Sequence, residues 1–338
     1  MKQRKKRSAR RTLGRLLGAL LAALLVALGA FTVIPLTERG DRGAAEGSAD
    51  WMAALDDSKR LNELKLPGSH DSATQYVQLA FFSKCQALSI GEQLEAGCRY
   101  LDIRLGFDRH NGILWLMHGF TRCKTSALGF EPLYLDDMLR ECYAFLAAHP
   151  TETVVFAVKQ EHGDESVEEF ERALDAYLLE HPDYWLLTDT IPTLGEARGK
   201  LVLMRRYEDA ASRGARAGIP LLWEDQTGHE DTALNTVGVD QGSYVLWVQD
   251  RFEYDVADKW AAFCEGMAAA RGAIDASPKD GLAIHFLSTK GTGTYGHPWY
   301  YARLLNPQLV TLGKPDGWTV MDFLSARLAE YVYLANFR

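Results

Sequence analysis

The sequence predicts an α/β protein, a single TIM-type (β/α)8 barrel that is regular or irregular in form and is preceded by an N-terminal hydrophobic segment. Three observations carry this expectation. Short apolar runs alternate with longer amphipathic periods from residue 61 onward, the runs number eight, and every run has a polar or ionisable residue at its end or one place before it. Nearly continuous apolar runs suit a parallel sheet buried on both faces, and eight such strands close a barrel.

In chain order, residues 1–15 hold Lys2, Arg4, Lys5, Lys6, Arg7, Arg10, Arg11 and Arg15 with no acid, and residues 16–37 carry no charge. A basic run followed by a long apolar stretch is an export signal or a single-span anchor, and either puts the rest of the chain outside the cytoplasm, secreted or tethered. Residues 38–50, rich in Gly, Ala and charge, read as a tether, and 51–338 as the barrel. Strands are expected at 64–69, 99–105, 113–118, 153–159, 200–206, 244–250, 282–288 and 318–323, with helices at 133–148, 166–180, 252–274 and 300–312.

Composition narrows the function. The chain is 47% hydrophobic, and beyond residue 15 it carries 29 basic against 45 acidic residues. An acidic body lacks the basic face that nucleic acid requires. Five cysteines in an exported body permit disulfides. Cys142 and Cys264 fall in helical periods and Cys98 opens a strand, so Cys85 and Cys123, both in loops, are the expected pair.

The run ends are Ser69-His70-Asp71, Arg104, His118, Lys159, Arg206, Asp250, Ser288 and Asp322. In a barrel these ends ring the active site. Two histidines, two arginines, a lysine and carboxylates there suit an anionic substrate that undergoes proton transfer, and phosphodiester cleavage fits well. One histidine takes a proton from an attacking hydroxyl, the other gives one to the leaving oxygen, and an arginine fork holds the phosphate. Asp322, on the strand that closes beside the first, is placed to orient His70.

These residues also carry a resemblance. The segments L-P-G-S-H-D-S-A-T (66–74), G-C-R-Y-L-D-I-R-L (97–105), L-M-H-G (116–119), T-E-T-V-V-F-A-V-K (151–159), G-K-L-V-L-M-R-R-Y (199–207), W-V-Q-D-R-F (247–252), G-T-G-T-Y-G-H-P-W-Y-Y-A (291–302) and G-W-T-V-M-D (317–322) resemble, in order, the bacterial phosphatidylinositol-specific phospholipase C family. The resemblance implies cleavage between diacylglycerol and phosphoinositol with the inositol 2-hydroxyl as internal nucleophile, which gives a cyclic inositol phosphate. It implies His70 as general base oriented by Asp322, His118 as general acid assisted by Asp71, Arg104 on the phosphate, and Lys159, Arg206 and Asp250 on inositol hydroxyls. Phe252 stands where the family often has a Tyr under the inositol ring.

Calcium-dependent relatives place a metal at the phosphate, so Arg104 points to a reaction without metal or other cofactor. The alternatives are a metal-dependent phosphodiesterase acting on glycerophosphodiesters or sphingolipids and a non-catalytic inositol-lipid-binding barrel. The expected partners are an inositol phospholipid and a membrane surface, met through Trp299 and Trp223, with the chain a monomer.

Overall fold

The computed structural model describes residues 2–38, 48–226, 236–293 and 296–337. Most of the expected tether, and Tyr295 in the aromatic segment, lie outside the described residues. The elements in chain order are α1 (Lys2–Thr37), β1 (Pro67–Ser69), α2 (Ala80–Ser83), α3 (Ile90–Glu95), β2 (Tyr100–Asp108), β3 (Ile113–His118), β4 (Thr121–Arg122), α4 (Leu135–Ala148), β5 (Val154–Gln160), α5 (Val167–Glu180), β6 (Trp185–Leu186), α6 (Leu194–Ala197), β7 (Leu201–Arg205), β8 (Ile219–Pro220), β9 (Val237–Asp240), β10 (Val245–Gln249), α7 (Val256–Ala276), β11 (Gly281–Phe286), α8 (Pro298–Leu309), β12 (Trp318–Met321) and α9 (Ala326–Tyr333). Within α1 the apolar stretch Thr12–Thr37 has 26 residues. At ~1.5 Å per residue it exceeds the ~30 Å hydrocarbon core of a bilayer.

The sheet runs β6-β7-β5-β2-β1-β12-β11-β10-β9, parallel throughout except for β9, which pairs antiparallel with β10. Alternation along each strand sorts the side chains. Tyr100, Val155, Ala157, Val202, Met204, Leu246, Val248, Ile284, Phe286, Trp318 and Val320 fill the barrel interior. Their neighbours Leu101, Ile103, Phe156, Val158, Leu201 and Leu203 pack outward with residues of α4 and α5. Gly68 is where two strands and the interior filling meet, since a Cβ there would lie 2.9 Å from Tyr100 Cδ1 and 3.1 Å from Val320 Cγ2.

At the base of the barrel, Arg99 is fully buried and donates from Nε and Nη2 to Glu152 Oε2 at 2.9 and 2.7 Å. Its Nη1 and Nη2 also reach the carbonyls of Leu94, Cys98 and Ala49. Glu152 accepts from the Met52 amide, which ties the segment before β1 to the sheet.

One expectation is corrected. The run at 113–118 is not a barrel strand: β3 folds back antiparallel on β2, because Asn111-Gly112 ends a tight turn in which Gly112 takes φ +70°. The barrel takes the irregular form, in which the strands do not close a ring. The edge of β7 carries the two short strands β6 and β8, and the gap to the β9–β10 edge is spanned by side chains. Gln241 accepts from the Leu222 amide at 3.0 Å and donates to its carbonyl at 2.8 Å, while Tyr244 donates to the Pro220 carbonyl.

Candidate active site

The alternation that fills the interior also sets the mouth. Continuing the inward register past the apolar layers brings up His70 after β1, Arg104 on β2, Lys159 on β5, Arg206 after β7, Asp250 after β10 and Asp322 after β12. His118 arrives otherwise, at the end of β3, carried over the mouth by the hairpin. Together with Asp71 and Phe252, all nine residues expected from the sequence line one cavity of about 240 Å³.

His70 Nδ1 faces Asp322 Oδ1 at 2.7 Å, and Asn306 donates to the Asp322 carbonyl at 2.9 Å. On the other edge of the ring, Arg104 Nη2 approaches His70 Nε2 at 3.0 Å. This geometry puts the proton on Nδ1 and leaves a lone pair on Nε2, the state a general base needs. Asp71 adopts φ +43°, a left-handed conformation that Asp tolerates better than most residues. That turn aims its carboxylate at Arg104 Nε (3.1 Å), His118 Nδ1 (3.1 Å) and His70 Nε2 (3.3 Å). The two imidazole rings stand 6.4 Å apart, centre to centre.

Burial lowers the proton affinity of both histidines. At His70 the charges of Asp322 and Asp71 outweigh burial and its pKa is raised, whereas at His118 burial, with Arg104 and His70 nearby, outweighs Asp71 and the pKa is lowered.

Three groups that the sequence reading left out of the site hold it in shape. Asp102 pairs with Arg104 Nη2 at 3.0 Å and with Arg206 Nη1 at 3.2 Å. Glu161 pairs with Arg104 at 3.4 Å and Lys159 at 3.2 Å. Burial pushes the Glu161 carboxyl up, but the charges of Arg104 and Lys159 overcome this and hold it at about 2. Lys259, fully buried, donates to Gln249 Oε1 and to the Arg251 carbonyl at 3.0 and 2.7 Å, which fixes the loop bearing Asp250 and Phe252; burial takes its pKa down to about 7. A lysine inside the apolar stripe of a helix is the signal that marks it.

The fold and this site have counterparts. Residues 65–207 match the family described as phosphatidylinositol-specific phospholipase C, X domain. The chain is 29% identical over 299 residues to the 1-phosphatidylinositol phosphodiesterase of Staphylococcus aureus, covering 81% of this chain and 88% of that one. The chain carries the X domain of the phosphatidylinositol-specific phospholipase C family. The Listeria monocytogenes enzyme of the same name is 32% identical over 165 residues, 46% of this chain and 47% of its own. A crystal structure of the staphylococcal phospholipase superposes with a TM-score of 0.67 at 25% identity over 82% of this chain and 92% of that one. Another, from work on modulation of its membrane binding, gives 0.65 at 26% identity over 82% and 91%.

One expectation about this phospholipase C changes with the structure. All five cysteines are free thiols. Cys85 is turned to the cavity, 3.7 Å from His118, while Cys123 packs in the outer core, so they form no disulfide. Trp223 packs beside the site. Arg206 lies over its ring at 3.7 Å and its Nε1 donates to Asp250 Oδ2 at 3.2 Å. Trp299 packs edge-on against Phe323 at 4.7 Å. Among the apolar side chains that stand out into solvent are Leu79, Phe120, Leu128 and Phe130, the last 94% exposed.

Proposed function

We propose that this phospholipase C cleaves phosphatidylinositol or a related inositol lipid by internal attack, with His70 as base and His118 as acid. His70 Nε2 takes the proton of the inositol 2-hydroxyl, the oxygen attacks phosphorus, and the bond to the diacylglycerol oxygen breaks as that oxygen takes the proton from His118 Nε2. Diacylglycerol and a cyclic inositol phosphate result. The observation that carries this reading is His70 held between Asp322 and Arg104, with the His118 ring 6.4 Å away, centre to centre. Arg104 stabilises the charge that develops on the phosphate. Lys159, Arg206 and Asp250 receive the inositol hydroxyls, and Phe252 offers a ring face.

The membrane reading rests on where α1 ends. Phe31 packs against Phe81 and Phe82 at 4.9 and 5.6 Å, and Lys84 donates to the carbonyls of Pro35 and Glu38. Phe82 also lines the catalytic cavity. An α1 retained as an anchor would emerge beside the mouth and turn it, with Leu79, Phe120, Leu128 and Phe130, toward the lipid.

The test is phosphatidylinositol beside its 2-deoxy analogue, each with and without chelator. The expected result is a cyclic product from the first, no cleavage of the second, and no loss with chelator. Rapid cleavage of the 2-deoxy lipid, or a tenfold loss with EDTA restored by calcium, would overturn the mechanism.

A further inference from the structure

Cys85 is a buried thiol that none of the steps above uses. Its Sγ lies 3.7 Å from His118 Nδ1, which is 3.1 Å from Asp71 Oδ2, and the three donor atoms fall within 4.8 Å of one another. With zinc bonds of ~2.3 Å to sulfur and ~2.0 Å to nitrogen or oxygen, a tetrahedral ion needs edges of ~3.6 Å for S···N and ~3.3 Å for N···O. The observed edges match these to a few tenths of an ångström.

A second observation points the same way. Asp71 is 1% exposed, and neither of its carboxylate oxygens accepts an aligned hydrogen bond. It is a buried anion met by Arg104, His118 and His70 as ion pairs, without an aligned hydrogen bond on either oxygen. Cys85, His118 and Asp71 all line the catalytic cavity, so a cation can reach them from solvent.

We propose that Cys85, His118 and Asp71 form a binding site for a soft divalent cation of the zinc class, whose occupancy inhibits the enzyme. On binding, the Cys85 thiol gives its proton to water and its thiolate bonds the metal, with no change of oxidation state. His118 donates the Nδ1 lone pair and keeps its proton on Nε2, Asp71 supplies one carboxylate oxygen, and water completes the shell. A His118 ligated in this way would have to become an imidazolate to protonate the leaving oxygen, so the acid step stops. Hard cations such as magnesium and calcium prefer oxygen donors and are excluded by the thiolate. The inhibition part of the proposal rests on the assignment of His118 as acid; the binding part does not.

The experiment uses the full chain in detergent. Cadmium is titrated while thiolate-to-metal ultraviolet absorption is read, and zinc inhibition of phosphatidylinositol cleavage is measured relative to each protein's own metal-free rate. The expected result is one cadmium per chain with a thiolate band that is absent in Cys85→Ser and kept in Cys264→Ser, and a zinc midpoint raised at least tenfold in Cys85→Ser. A band that survives Cys85→Ser, or an unchanged midpoint, would overturn the site. Should that variant fail to fold, zinc must protect Cys85 but not Cys264 of the unaltered protein from alkylation; equal labelling overturns it as well. A Cys85-dependent band with undiminished cleavage would leave the cation site standing and overturn both the inhibition and the acid role of His118.

Discussion

His70 and His118 are pushed in opposite directions, and the direction is the reverse of the resting one a base and an acid would be given. The proton is held more firmly by His70, whose pKa is raised, than by His118, whose pKa is lowered. The reactive form, with His70 neutral and His118 charged, is therefore a minority of the free enzyme. A phosphodiester beside Arg104 favours it, by offsetting the guanidinium charge that lowers His118. The rate should still follow a bell in pH. In His118→Ala, with a substrate whose leaving group needs no protonation, the alkaline limb should vanish. The rate should then rise through a single pKa above the ordinary imidazole value of about 6.5. His70→Ala should show no such rescue, and equal rescue of both variants would mean that the two roles are exchanged. Arg104→Lys should remain impaired by a hundredfold or more, because its guanidinium addresses Asp71, Asp102 and Glu161 at once through a planar fork that an ammonium lacks. Near-normal kcat in that variant would reduce Arg104 to a point charge.

At the scale of elements, much of the site was legible because one regularity governs both the barrel's filling and its mouth. A strand that buries Tyr100 inward must turn Asp102 and Arg104 the same way, so apolar runs capped by ionisable residues already marked Arg104, Lys159, Arg206, Asp250 and Asp322 as neighbours. His118 was assigned to the site through the wrong topology. Its strand reads like the others by periodicity, and only Asn111-Gly112 distinguishes a hairpin from a crossover. Glu161 was not legible, since a charge beyond a strand declares its partners only after packing, and Lys259 showed only as a lysine in line with the apolar stripe of α7. The disulfide expectation failed because loop position says nothing about which way a thiol faces. The rim around α2 and β4 gives a prediction at this scale. Replacing Phe120 and Phe130 together by Ser should lower the rate on phosphatidylinositol vesicles severalfold while leaving cleavage of a monomeric short-chain substrate nearly unchanged. Equal losses on both substrates would assign these side chains to folding instead.

Across the whole molecule, charge is buried at both ends of the barrel, and each end sets a different sensitivity. At the base, Glu152→Ala would strand the Arg99 guanidinium without its counter-ion and should destabilise the protein by about 3–5 kcal/mol, read from denaturant midpoints. A loss under 1 kcal/mol would show that the carbonyls around Arg99 suffice. At the mouth, the Glu161 carboxyl sits at about 2 when folded and near 4.3 in an unfolded chain. A depressed carboxyl contributes stability that is complete above the unfolded value and is lost as pH falls through the folded one. Unfolding by acid should therefore steepen between about pH 4.3 and pH 2, and Glu161→Gln should flatten that slope.

The unclosed ring has a kinetic meaning. Eight parallel strands are joined by backbone ladders, but between residues 220–226 and the β9–β10 edge the wall is joined by side chains, those of Gln241, Tyr244, Trp223 and Gln226. Such a seam opens without breaking the cooperative unit on either side of it. Amide hydrogens of residues 219–226 and 237–241 should exchange with solvent well before those of 154–158 and 201–205, at a rate set by this local gap rather than by global unfolding. Trp223 and Arg206 stand on one side of the seam and Asp250 on the other, so the part of the cup these three residues build is the part that breathes.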